Sequence, residues 1–325
     1  MTSVWNRVAF FKGKIDAALA QRRPVQAAAP SLERSPFYHY NATFDAIGVM
    51  QRHAVDDAQP HPDYVTNFLG VKVSPRYFPG ILDGRQGTVE AIPIPANWHA
   101  DIAEWAYALH AVDVAKETFR VVELGCGWGC WLNNTGAAAR RRGLKVELIG
   151  IEGDEGHVGF ALESLAANGF SPDQFKIVYG VAAPKRSKAL FPVVEPGKNW
   201  GAEPIFNATS EQIAEAQRSG VYRVLEAYPL AELAGGTPID LLHVDIQGGE
   251  TDFVKANFDE INRFVRRILI GTHSRVIEGD IMRFMLDQGW MLEMERPCIF
   301  GLPAGRPQIQ VDGVQGWVNG GRVAQ

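Results

Sequence analysis

Short apolar strands alternating with helical segments from residue 119 onward predict an α/β fold built on a doubly wound, mostly parallel sheet. Three observations carry this. The segments 120–124, 145–151, 174–179, 239–246 and 267–272 are apolar on both faces, as strands covered by helices on both sides must be. Helical segments separate most of them, and right-handed crossovers between parallel strands then wind the sheet in both directions. A glycine-rich turn, Gly125-Cys126-Gly127-Trp128-Gly129, follows the first strand and opens a helix.

In chain order, Val4, Val8, Phe11, Ile15 and Leu19 recur at helical spacing and predict a short helix that docks on its own domain or on a partner. Residues 21–36 carry Pro24, Pro30 and Pro36 and form a linker. Residues 37–118 form an irregular, partly helical cap on the substrate side. Proline and glycine break it up to residue 96, and Ile102, Trp105, Ala106, Leu109, Val112 and Val114 then give the helix 98–117 a broad apolar stripe. The core domain spans 119–300. Its helices cover 129–142, stopped at Gly143, and 156–168, stopped at Gly169, then 250–262 and 278–288. Residues 183–220, with Pro184, Pro192, Pro196 and Pro204, are expected as an irregular insertion before a strand at 222–227. The glycine-rich tail 301–325, strand-like at 311–317, is expected as an antiparallel hairpin on the sheet edge.

Composition narrows the function classes. Of 325 residues 46% are hydrophobic and 21% charged, the balance of a folded globular chain rather than a disordered one. A net charge of −5 removes the electrostatic footprint of a general nucleic-acid binder. Three cysteines cannot make a disulfide scaffold, and their odd number points to a reducing compartment, so a cytoplasmic location is expected. The uncharged run 124–139 is too short and too polar to span a bilayer. Lys12 and Lys14 directly after Phe10 and Phe11 break any signal-peptide core.

The glycine turn lets the backbone bend sharply and leaves room for a ligand at a helix N-terminus. Glu123 ends the strand before it, and Glu152, followed by Gly153, ends the next. A carboxylate at that second strand end accepts hydrogen bonds from ribose hydroxyls. Cys126 and Cys130, without a second pair, read as small residues of a tight turn rather than metal ligands. Further on, the strand 239–246 delivers Asp245 to the same edge, with Glu250 opening the next helix. His273 stands at the tip of the adjacent strand, and histidine is the natural general base near neutral pH. Asp245 and His273 are therefore the expected catalytic pair, with His273 as base and Asp245 orienting the base or the acceptor. His243, deeper on its strand, is expected to be a satisfied core histidine.

ELGCGWG followed by IGIEGD resembles the first two motifs of class I S-adenosylmethionine-dependent methyltransferases. PIDLLHVDIQGGE, ILIGTHS and the upstream VYRVLEAYPLAEL are similar to the FkbM-type branch of that superfamily, and the likeness covers 119–300. The resemblance implies a seven-stranded Rossmann-like sheet, S-adenosylmethionine as methyl donor with S-adenosylhomocysteine as product, and O-methylation of a sugar, glycan or polyketide hydroxyl. By position it implies that Glu123, Gly125, Gly127 and Gly129 surround the donor's methionine part. Glu152 and Gly153 then take the ribose, Gly180, Val181 and Ala182 the adenine, and Asp245 faces the transferred methyl. Trp98, His99, Trp200, Gln247 and Glu250 are expected toward the acceptor. The branch commonly carries acids where this chain has Gln247 and Gly271, which argues against a divalent metal. The implied partner is a small-molecule or glycan acceptor, with neither nucleic acid nor a membrane segment, and an oligomer left open. Two other readings share the loop. An NAD-dependent oxidoreductase would want GxGxxG where this chain has GxGxG, and a degenerate methyltransferase domain would act as a binding partner.

Overall fold

A computed structural model of the chain describes residues 35–198 and 200–323. The helix expected at 4–20 and most of the expected linker lie outside the described residues. Seven strands form the central sheet: β1 (Thr118–Leu124), β2 (Lys145–Glu152), β3 (Phe175–Tyr179), β4 (Ile239–Val244), β5 (Val265–Thr272), β6 (Met291–Arg296) and β7 (Gly313–Val318). Their spatial order is β3-β2-β1-β4-β5-β7-β6, and the two-residue strand Asn41–Ala42 adds to β6 at the edge. β1 through β5 run parallel, and β7 runs antiparallel to both its neighbours. The expected Rossmann-like, mostly parallel sheet is the observed fold.

The strands are apolar on both faces because two cores sandwich them. One face packs against α1 (Ile102–Asp113), α2 (Cys130–Arg141), α3 (Glu155–Ala167) and the cap segments through Phe68, Tyr77, Trp105, Tyr107 and Leu132. The other packs Phe253, Ile281, Met285, Trp290 and Trp317, which come from α4 (Glu250–Ala256), α5 (Arg275–Asp287) and the sheet's far end. A capping box starts α1: Asp101 accepts from Ala103 N while Glu104 accepts from the Asp101 amide. That reciprocal pairing satisfies two otherwise orphaned donors and fixes where Glu104 points.

Three expectations are corrected. The tail is no edge hairpin: β7 is threaded between β5 and β6, and all six of its residues are buried. Its glycines, which read as loose tail, are there for space. A Cβ at Gly316 would lie 2.6 Å from the Tyr107 ring, whose hydroxyl donates to Trp317 O at 2.7 Å. The insertion is regular rather than irregular. Val181–Ala182, Ser187–Pro192, Ile205–Phe206 and Tyr222–Tyr228 build a second, four-stranded sheet, with a helix at Ser210–Ser219. Its prolines fall at strand ends or between strands, where no ladder donor is lost. The helix expected at 250–262 is two helices, broken at Asn257, whose side chain accepts from Leu230 N and donates to Phe253 O and Ala183 O.

Trp317 is fully buried against the second core. Trp317→Ala is expected to lower the unfolding free energy by ~3–5 kcal/mol, measured by urea denaturation followed by far-UV circular dichroism.

Candidate active site

A parallel sheet points its strand carboxyl ends to one edge, and there the cap and the second sheet close over a cavity of about 550 Å³. That volume is in the range of small-molecule sites. Its floor is the turn after β1, in which Gly125, Gly127 and Gly129 all take positive φ, +73°, +53° and +77°. At Gly125 the constraint is steric as well, since the Asp245 carbonyl oxygen occupies the space of a Cβ. Glu123, buried below the turn, accepts from Trp131 N and Leu132 N and so holds the first turn of α2. Burial pushes its carboxyl up to about 8 against the pull of those amides.

Glu152 ends β2 inside the cavity and accepts from Gly127 N at 2.8 Å and from Asp154 N at 2.7 Å. Each oxygen keeps a lone pair toward a ligand. Burial raises this carboxyl to about 7, again opposed by amides. Beyond it lie Gly180, Val181, Ala182, Phe191 and Phe206. On the other side of the turn the wall is aromatic: Phe78, Trp98, His99, Trp128, Trp131 and Trp200. Trp200 stacks between Phe78 and His157, at centroid distances of 4.5 and 3.9 Å, and His157 Nε2 accepts from Gly197 N. Asp245, Gln247, His243 and Glu104 complete this end.

No protein-family model matches the chain. Over 266 residues it is 53% identical to a protein of Jannaschia sp. (strain CCS1) named "Putative methyltransferase", covering 82% of this chain and 95% of that one. The chain belongs to this methyltransferase family. Among solved structures it is similar to methyltransferase FkbM from Methylobacillus flagellatus KT, at 9% identity and a TM-score of 0.42, over 66% of this chain and 54% of that chain. It is also similar to the C-terminal domain of precorrin-6Y C5,15-methyltransferase from Rhodobacter capsulatus, at 11% identity and a TM-score of 0.38, over 68% and 90% of the two chains.

The methyltransferase's cavity takes in most of the residues singled out from sequence: Glu123, Gly125, Gly127, Glu152, Gly153, Val181, Ala182, Asp245, Trp98, His99, Trp200 and Gln247 all line it. Gly129, Glu250 and His273 do not. Gly129 is the N-cap of α2, a structural position. His273 stands behind Asp245, between two carboxylates: its Nε2 is 3.3 Å from Asp245 Oδ1 and its Nδ1 is 2.9 Å from Glu250 Oε1. Burial alone would lower its basicity, but both carboxylates hold the proton and push it up to about 11. Lying behind Asp245 and outside the cavity lining, His273 does not itself face the space a substrate would fill. In turn it holds Asp245 below the ordinary carboxylate range against burial. Asp245, Glu250 and His273 each offer a ligand atom within 4.8 Å of the others, close enough for a cation.

Two cavity residues escaped the sequence reading. His243 is buried yet its Nδ1 is unpartnered, and it lines the cavity rather than a satisfied core; burial lowers it to about 4, as it does His99. Glu104 was visible as the last residue of a D-x-x-E cap pattern, but which face of the helix it would occupy depends on how α1 crosses the sheet. Burial and the neighbouring Asp101 push its carboxyl up to about 8.

The relay has a pH signature. Because the folded-state affinity of His273 for its proton is raised above the ordinary 6.5, its contribution is complete below pH 6.5 and lost as pH climbs toward 11. The stability difference between the wild type and His273→Gln, from urea melts at pH 6, 8 and 10, is expected to be largest at pH 6 and to shrink upward.

Proposed function

We propose that this methyltransferase moves the methyl group of S-adenosylmethionine onto a hydroxyl of a sugar or glycan. The observation that carries the reading is a single cavity joining the glycine turn and Glu152 to Asp245 beneath an aromatic wall. The donor supplies an electrophilic methyl carbon, and S-adenosylhomocysteine leaves. In that reading the turn after β1 holds the methionine end, Glu152 accepts from the ribose hydroxyls, and the strand at Val181–Ala182 borders the adenine. Gly153 leaves the ribose edge open to the Phe191 ring, which lies 2.5 Å from where its Cβ would be.

Methyl transfer is an in-line displacement, so most of the catalytic task is aligning the acceptor oxygen. Asp245, kept ionised by His273, accepts the acceptor hydroxyl's hydrogen bond, draws its oxygen into line and takes its proton as the O–CH3 bond forms and the S–CH3 bond breaks, passing the proton on to solvent. His273 and Glu250 act through Asp245 as positioning residues. The rings of Trp98 and His99 offer flat faces on which a sugar stacks. The acceptor end is lined by acidic and aromatic groups and no arginine, which fits a hydroxylated ring better than a polyphosphate backbone. No helix among the described residues is long and apolar enough to cross a membrane. Cys126, Cys130 and Cys298 are free and buried, in keeping with a proposed cytoplasmic location.

Calorimetry is expected to show S-adenosylhomocysteine binding and no NAD binding, with Glu152→Ala weakening the former by ~10-fold or more. In a panel of methyl glycosides, catechol and transfer RNA, assayed by S-adenosylhomocysteine release, the glycosides are expected to turn over. Asp245→Asn should lower kcat by about 100-fold with little change in KM. Turnover confined to RNA would overturn the acceptor class, and NAD binding in place of S-adenosylhomocysteine would overturn the donor.

A further inference from the structure

The donor proposed above ends in an amino acid, so its carboxylate needs hydrogen-bond donors at the glycine turn. Among the described residues the cavity wall is poor in positive charge: Lys185 is the single lysine or arginine lining it. Lys185 follows the Val181–Ala182 strand, at the opposite end from the turn after β1. Helix N-termini ordinarily serve anions through free amides, but here only Trp128 N and Cys130 N are left without a partner. Gly125 N and Cys126 N donate to Ile151 O, Gly127 N to Glu152, and Gly129 N to Cys126 O. Trp131 N and Leu132 N donate to Glu123, and Asn133 N to Gly129 O.

The turn also offers an indole. Trp128 stands between Gly127 and Gly129, lines the cavity and is 2% exposed, and its Nε1–H has no partner. Its ring is fixed by Tyr77, stacked at 6.1 Å, and by the edges of Phe78 and His99 at 6.5 and 5.9 Å. Buried N–H groups are almost always paired, and a ligand anion at this turn would pair this one.

We propose that Trp128 Nε1–H donates to the carboxylate of the donor's amino-acid end, making Trp128 a donor-binding residue beside the two free amides of the turn. The inference rests on the donor reading above. Trp200 Nε1 is a second unpartnered indole donor on the same cavity. Its ring reaches the turn from the insertion, 2.8 Å from where a Cβ of Gly127 would be, and stacks on Phe78 and His157, so it is the rival donor for the same carboxylate.

The test is a two-by-two comparison by calorimetry. Trp128→Phe keeps an aromatic ring and removes the N–H, while S-adenosylhomocysteine methyl ester keeps the ammonium and removes the anionic charge. Wild type is expected to bind S-adenosylhomocysteine ~10- to 100-fold more tightly than the ester. Trp128→Phe, with an unliganded melting temperature matching wild type, should show that preference reduced by about 5- to 10-fold. An equal preference for the free acid in both proteins overturns the proposal, as does a wild type indifferent to esterification. Loss of the preference in Trp200→Phe alone would also overturn it and move the carboxylate to Trp200. If wild type binds S-adenosylhomocysteine not at all, the donor reading falls and takes this inference with it.

Discussion

The site depends on one buried carboxylate. Glu123 ends β1 beneath the glycine turn, and its two oxygens take the amides of Trp131 and Leu132. Those amides belong to the first turn of α2, which would otherwise leave them unpaired in the core. The carboxylate thus ties strand end, turn and helix start into one rigid piece. Each oxygen takes one helix amide while the residue still lines the cavity, so Glu123 joins the shape of the turn to the site. The glycines then follow from that closure: three positive φ angles within five residues, with the Asp245 carbonyl pressed against Gly125.

A second consequence of the parallel sheet is that polar strand ends meet side by side. β4 and β5 are neighbours in register, so Asp245 and His273 emerge next to each other, and Glu250 at the start of α4 reaches the far ring nitrogen. One imidazolium between two carboxylates leaves a fixed anion at the cavity wall. That arrangement serves alignment. His273 itself stands behind Asp245, off the cavity wall. The cavity histidines His99 and His243 are pushed the other way, because burial outweighs the pull of Asp245 on them.

Much of the fold was legible in sequence because its signals are local. Strands apolar on both faces, helices closed by Gly143 and Gly169, and a glycine turn at a strand–helix junction each depend on neighbours in the chain. The strand of the tail was legible as a strand, but its place between β5 and β6 was not. An antiparallel strand inserted into a parallel sheet differs from an edge strand only in what lies on either side of it. The insertion was misread for a related reason: Pro184, Pro192, Pro196 and Pro204 mark strand ends as readily as irregular coil, and only pairing partners tell them apart.

The same division holds in the cavity. The sequence by itself determined which residue types stand at the strand ends: Glu123, Glu152, Asp245 and His273 are set by position in a βα unit, because a parallel sheet has one carboxyl edge. Only the tertiary structure decided what each does there. Glu123 is occupied by helix amides, His273 is locked behind Asp245, and Glu104, His243 and Trp128 are brought to the wall by the packing of α1 and the cap. Those outcomes turn on which hydrogen-bond partners are left over after folding, a quantity summed over the whole molecule that no single segment of chain contains.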